Sequence, residues 1–304
     1  MIYPNFAQLN LPLDAPKPKN FFERFLQTLN GQMTEPKPFG WFHWIFITLT
    51  VATCIFIVIK CRTLTERQLR NVLLITGVVL IALEIYKQFN CAYNPDEDVW
   101  SYNWSNFPFQ FCSTPLYILP LSALIPHERF RQRLYAFLGT YGLVAGVMVM
   151  LFPSSVFSET IGINLQTMIH HSGMIVVGVL LLSSGKISFN FQSLKDALFV
   201  FLPLCATAMV MNELYIAFGS DEYSFNMFYI SPKGEPPMDF LVALLDHVPY
   251  IVYLIGYLFF FTFGAYLVLQ IARFFDKKFP RKITEETAEN DYGETNEPVQ
   301  DYTI

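Results

Sequence analysis

Long apolar stretches alternate along the chain with short polar segments, and the apolar stretches indicate the fold class. A helix that crosses a bilayer needs about 20 predominantly apolar residues. Seven stretches follow this pattern with cores almost free of charged residues, at 39–59, 71–86, 107–125, 134–152, 164–183, 197–218 and 248–274. The pattern predicts an all-α polytopic membrane protein, a bundle of about seven transmembrane helices.

Composition agrees with this fold class and divides the chain into three parts. Of the 304 residues, 53% are hydrophobic and 15% are charged, whereas a soluble domain carries about 25% charged residues. We expect a polar lead-in at 1–38, a transmembrane domain at 39–275 and an acidic, disordered tail at 276–304. The net charge of −5 and the absence of a basic patch argue against nucleic acid as a partner and leave membrane lipids as the expected one.

The positions of the basic residues predict an orientation. Most of the 20 Lys and Arg residues fall in the first, third and fifth connections and in the C-terminal tail. Cytoplasmic loops carry the excess of basic residues, so the C-terminus is expected in the cytoplasm and the N-terminus outside. The short connections are typical of a protein of the bacterial plasma membrane.

The third predicted span, FPFQFCSTPLY at 107–117, places polar side chains at membrane depth. Gln110, Cys112 and Thr114 lie between Pro108 and Pro115, so the backbone there is expected to be irregular. Irregular backbone at this depth is tolerated where it is buried in protein or lines a cavity. The structural alternative is a buried thiol beside a threonine that bonds back to its own helix.

Two adjacent histidines, His170 and His171, lie inside the fifth span. Neighbours on a helix point about 100° apart, so at most one is expected to face a given site. His171 is favoured because Thr167 and Gly178 give it a small, polar stripe. The structural alternative for either histidine is a hydrogen bond between helices.

Two asparagines are candidates for substrate contact. Asn212 lies near the end of the sixth span, and Asn226 lies in the connection that follows. Their amides suit a lipid headgroup or a carbonyl oxygen, although capping and loop packing are the structural alternative.

A thiol and an imidazole in separate spans suit covalent acyl chemistry. A histidine can take the proton of Cys112, and the resulting thiolate can attack an ester carbonyl to form an acyl-thioester. Gln110, Thr114 and Asn212 are side-chain types that stabilise an oxyanion. The five cysteines show no metal-ligand spacing, so neither a metal nor another cofactor is expected.

Several motifs together resemble one family. FPFQFCSTPLYILPL, MIHHSGMIVVGVLLL, the two asparagines and LLDHVPYIVYLIGYLFFF follow in the order of the bacterial YwaF-type membrane proteins. Those proteins are grouped with the eukaryotic transmembrane-protein-164 family, which is described as lipid acyltransferases. The resemblance implies that Cys112 is the nucleophile and that His171 or His170 is its partner. More distantly the chain resembles the androgen-induced membrane hydrolases, which pair a threonine nucleophile with a histidine.

A second class of function fits the same residues. In a transporter or small-molecule binder, Glu84, His170, His171 and Asn212 would line a polar path, since ionisable residues inside a bundle mark such paths. A structural membrane protein without a site is the third class. Dependence on Cys112 separates the first class from the others.

Overall fold

The computed structural model describes residues 20–94, 99–219, 225–231, 233, 242 and 247–279, and for 26–29 it describes the backbone only. Most of the predicted acidic tail and half of the predicted lead-in lie outside the described residues.

Nine α-helices account for most of the described chain. They are α1 (Phe21–Leu29), α2 (Trp41–Lys60), α3 (Glu66–Ala92), α4 (Pro115–Leu124), α5 (Glu128–Phe137), α6 (Leu143–Leu151), α7 (Ile161–Ser183), α8 (Phe191–Phe218) and α9 (Tyr250–Lys278). A π-helical segment, Leu138–Gly142, joins α5 to α6 into one continuous rod. A two-residue hairpin, β1 (Tyr93–Asn94) with β2 (Val99–Trp100), follows α3.

Six of the seven predicted spans are confirmed as long apolar helices. These are α2, α3, the joined rod Glu128–Leu151, α7, α8 and α9, each long and apolar enough to cross a bilayer. The chain is therefore an integral membrane protein with an all-α bundle.

The third predicted span differs from the other six. Its apolar helical part, Phe111–Leu124, is shorter than a spanning helix. The segment nevertheless runs antiparallel along α3, because Gln88 Nε2 donates to the Asn106 carbonyl (2.7 Å) near one end and Arg70 Nε donates to the Ala123 carbonyl (2.6 Å) near the other. Those two α3 residues are about 27 Å apart at about 1.5 Å per residue. Extended chain, a 3₁₀ turn and a short helix thus cover the distance that a regular helix covers elsewhere.

Prolines explain why this pass is not a regular helix. Pro108 precedes the 3₁₀ turn Phe111–Ser113. Pro115 begins α4, in the first turn, where a backbone N–H would have no partner within the helix, so the absence of this N–H in proline costs nothing. Gly77 of α3 lets the short helix approach closely, since a Cβ at Gly77 would lie 3.0 Å from Pro120 Cδ.

The two ends of the bundle differ in character. At the end where α3 and α5 begin, the Glu66 carboxylate accepts from the Tyr135 hydroxyl (2.9 Å) and pairs with Arg131 (2.9 Å) and Lys186 (3.6 Å). At the opposite end, α3 and α8 finish and α7 and α9 begin. The segment Phe225–Ser231 is buried there, although it contains only one 3₁₀ turn.

Candidate functional site

The buried segment Phe225–Ser231, here called the clamped loop, is held first by an asparagine of α8. Asn212 Nδ2 donates to the Met227 carbonyl (3.0 Å), and the Met227 N–H donates to Asn212 Oδ1 (2.7 Å). Met227 and Phe228 are fully buried. Because Met227 is buried, its N–H and its carbonyl cannot bond water. The Asn212 amide supplies hydrogen bonds to both groups instead.

A second amide, from the irregular third pass, holds the other part of the clamped loop. Gln110 Nε2 donates to the Asn226 carbonyl (2.9 Å), and the Phe228 N–H donates to Gln110 Oε1 (3.0 Å). Within the loop, the Ser231 N–H donates to Asn226 Oδ1 (2.9 Å). The three amides predicted to contact substrate thus bond the backbone of the loop in this structure.

Two tyrosine hydroxyls of α9 complete the clamp. Tyr253 Oη donates to the Tyr229 carbonyl (2.8 Å), and Tyr250 Oη donates to the Ile230 carbonyl (2.7 Å). Phe228 and Tyr229 have φ angles of 58° and 56°. Such left-handed conformations cost non-glycine residues roughly 1–3 kcal/mol each and persist only where surrounding contacts impose them. The clamp supplies those contacts and fixes the direction of the Tyr229 side chain.

A cavity of about 400 Å³ lies beside the clamped loop. This volume is typical of a small-molecule site. The wall is predominantly apolar and aromatic, and it is formed by Gln110, Phe111, Cys112, Ala145, Met148, Val149, Tyr229, Tyr253, Gly256, Tyr257, Phe259, Phe260, Phe261 and Phe263. Of the five cysteines, Cys112 alone is in this wall, where it is half-buried.

Tyr229 is a cavity residue that the sequence did not indicate. Burial raises the pKa of its hydroxyl, and the neighbouring Cys112 raises that pKa further. The hydroxyl is therefore protonated at neutral pH and available as a donor. It forms no hydrogen bond with the described residues. A tyrosine in a loop belongs to no periodic pattern, so the sequence gives no signal for it.

His170, rather than the favoured His171, is the histidine that contacts Cys112. His170 Nε2 lies 2.9 Å from the Cys112 carbonyl oxygen, and the side chain is 3% exposed. Because a carbonyl only accepts, Nε2 carries the proton and donates. Nδ1 is then an acceptor, and within the described chain it has no partner.

His171 bonds its own helix. Its Nδ1 lies 2.6 Å from the Thr167 carbonyl, so that nitrogen carries the proton. The polar stripe on which the preference for His171 rested includes the carbonyl that its Nδ1 bonds, and the preference itself stays a prediction. The two imidazole rings lie 5.3 Å apart, and His171 Nε2 is buried without a partner among the described residues.

The hydroxyl of Thr114 and the thiol of Cys112 differ in their surroundings. Thr114 is fully buried, and its Oγ1 donates to the Phe111 carbonyl (2.8 Å), which is the structural alternative considered for it. The thiol lies in the cavity wall. In the described part of the chain no hydrogen bond joins this thiol to a histidine, so His170 contacts Cys112 through the backbone.

The buried carboxylate of Glu84 lies near His170, on the far side of Gln166. Glu84 pairs with Lys87 (3.0 Å) and accepts from Gln88 Nε2 (2.6 Å) and Gln166 Nε2 (3.4 Å). Gln166 lies one helical turn before His170 on the same face of α7. Of the residues of the transporter path, Glu84 belongs to this cluster and His170 lies one turn from Gln166, whereas Asn212 bonds the clamped loop.

Within the described ranges, no three His, Cys, Asp or Glu side chains group closely enough to hold a metal ion.

Comparison with known proteins places the chain in a family. The model of the TMEM164 family matches residues 38–269, which is most of the chain and includes the clamped loop, the cavity and both histidines. No curated protein and no solved structure matches the chain.

The clamp gives a prediction about stability. Asn212→Ala leaves the buried N–H of Met227 without a partner, at a cost of roughly 1–3 kcal/mol. The Met227 carbonyl keeps only the long bond from the Ile230 N–H (3.5 Å). We expect a lower thermal unfolding temperature in detergent. The control is Glu213→Ala at the exposed neighbouring position, which should unfold at the temperature of the parent chain. Equal unfolding temperatures for the two variants would show that the loop is not held by Asn212.

Proposed function

We propose that this chain, which belongs to the TMEM164 family, is a membrane-embedded acyltransferase or lipid hydrolase with Cys112 as its nucleophile. One observation carries the proposal. Cys112 lines an aromatic cavity within a membrane bundle, and a buried histidine, His170, bonds its backbone carbonyl. The apolar wall of the cavity suits the acyl chain of a lipid, and a cysteine thiol can take up an acyl group as a thioester.

The proposed reaction has two steps. In the first, Cys112 Sγ attacks the carbonyl carbon of a lipid ester, the carbon–oxygen bond breaks, and the thiol proton passes to the departing lysolipid oxygen. In the second, the hydroxyl of an acceptor lipid or of water attacks the thioester carbonyl. The carbon–sulfur bond then breaks, and the proton of that hydroxyl returns to sulfur. Transfer and hydrolysis differ only in the acceptor.

His170 is assigned to proton transfer. It is the histidine next to Cys112, and its Nδ1 lone pair has no partner in the described chain. The hydrogen bond from Nε2 to the Cys112 carbonyl fixes the tautomer and holds the ring beside the nucleophile.

Tyr229 is assigned to stabilise the oxyanion. Its hydroxyl is a protonated donor in the same cavity as the thiol, and the clamped loop holds its backbone in a strained conformation. Donors that are fixed in place before the reaction stabilise developing charge at little reorganisation cost. Gln110 and Asn212 contribute indirectly, by holding the loop that carries this tyrosine.

The buried Glu84 cluster also supports a second candidate function, a transporter with a polar path. Such a path would pass Gln166 and His170, which lie on one face of α7, and Glu84 of α3, which Gln166 contacts. It gives no role to the thiol or to the aromatic cavity. Substitution of Cys112 therefore separates the two functions.

The enzyme proposal predicts that turnover depends on one thiol. In proteoliposomes of mixed phospholipids, the full chain should release lysophospholipid, measured by liquid chromatography with mass spectrometry. Cys112→Ser should lower the rate by at least about 1,000-fold, as expected when a covalent nucleophile is lost. The matched control is Cys205→Ser, which changes a buried cysteine of α8 outside the cavity wall. A rate in Cys112→Ser equal to that of the control would exclude Cys112 as the nucleophile.

The proposal also predicts that the two histidines are unequal. His170→Ala should slow lysophospholipid release by about 100-fold or more, the usual contribution of a general acid–base group. His171→Ala removes a ring that bonds its own helix, and it should change the rate by much less at equal amounts of folded protein. The reverse order of the two variants would assign proton transfer to His171.

A further inference from the structure

We propose that the acyl chain enters the cavity sideways from the bilayer, through a gap between α6 and α9 that Gly256 keeps open. This lateral entrance rests on the proposed function for the identity of its lipid. The gap itself and its accessibility to lipid are properties of the bundle, and they can be tested without turnover.

The outer rim of the cavity faces the surrounding lipid. Phe259, Phe260 and Phe263 of α9 line the cavity and are 68%, 50% and 47% exposed. Met148 and Val149 of α6 line it from the opposite side and are half-buried. In a membrane bundle, side chains exposed at this depth contact hydrocarbon. The cavity is therefore continuous with the lipid at this rim.

Glycines show how the gap arises between the two helices. At Gly264 the helices are close, since a Cβ there would lie 3.2 Å from Val144 Cγ1 of α6. About two turns earlier, at Gly256, an added Cβ would meet nothing within 4 Å. Gly256 is exposed and lines the cavity, so a side chain at this position would enter space that is open in this structure.

The inner part of the cavity leads to the nucleophile. Phe111 and Tyr257 line it and are 7% and 9% exposed, so lipid that only surrounds the bundle does not reach them. The cavity extends from Tyr253 to Phe263, about 15 Å along α9 at about 1.5 Å per residue. A molecule that passes the rim therefore meets an apolar channel with Cys112 in its wall.

The chemistry of the rim indicates an acyl chain as the occupant. The rim presents phenylalanine, methionine and valine side chains. No described residue of the cavity wall is charged. A lipid headgroup placed there would lose its hydration without gaining a partner. An acyl chain exchanges one apolar environment for another, and the aromatic rings add contact area in the cavity.

Photocrosslinking tests the entrance directly. The full chain with Cys112→Ser, which removes the thiol chemistry, is reconstituted in nanodiscs with a phosphatidylcholine that carries a diazirine in its acyl chain. After illumination, labelled peptides are mapped by mass spectrometry. We expect label on Phe111 and Tyr257 themselves, assigned to the residue by fragmentation of the peptides, and adding Gly256→Phe should reduce that label several-fold.

The matched control is Ile255→Phe on the same background, because Ile255 is 60% exposed on α9 but does not line the cavity. It should leave the labelling of the buried wall unchanged. A second narrowing variant, Met148→Trp, approaches the gap from α6 and should act like Gly256→Phe.

Two results would overturn the inference. One is the absence of label on the buried wall before the gap is narrowed. The other is equal wall labelling in Ile255→Phe and in both narrowing variants. Neither result bears on whether Cys112 is a nucleophile. Conversely, labelling that depends on the gap would stand even if no lysophospholipid were released.

Discussion

A buried backbone group has no water beside it, so each one that leaves regular helix must find a partner in the protein. The clamped loop satisfies this requirement with amide and hydroxyl side chains. Asn212 and Gln110 each bond both an N–H and a carbonyl of the loop, and Tyr253 bonds a further carbonyl. The costly polar residues of three separate elements therefore converge on one short stretch of backbone.

The convergence has consequences for the cavity. The third pass must stay irregular for Gln110 to reach the loop, and the same irregularity places Cys112 in the cavity wall. The loop in turn holds Tyr229 in a strained conformation with its side chain in that wall. The same local structure therefore provides hydrogen-bond partners for the loop backbone and places Cys112 and Tyr229 in the cavity wall. This explains why residues that act in the clamp lie so close to the residues assigned to chemistry.

The sequence predicts the bundle well because a spanning helix leaves a long apolar run, and six such runs are confirmed as helices. It predicts less about the site, because a pattern shows that a polar residue is costly without showing its partner. In the sequence, Asn212 suits contact with a substrate as well as with a loop, and the structure shows its amide bonding the backbone of Met227. The choice between His170 and His171 depends on how α7 is rotated towards its neighbours, which an apolar run does not determine. Tyr229 leaves no signal, since its conformation is imposed by contacts distant in sequence.

If a membrane lipid acylates the Cys112 thiol, intact-mass spectrometry detects the acyl-protein. The purified full chain is incubated with mixed phospholipids, and the mass of the protein is compared before and after treatment with hydroxylamine, which cleaves thioesters. The account predicts a gain equal to one acyl chain that hydroxylamine removes and that is absent in Cys112→Ser. An adduct of the same mass that persists in Cys112→Ser would contradict the account, because the acyl chain would then be on another residue.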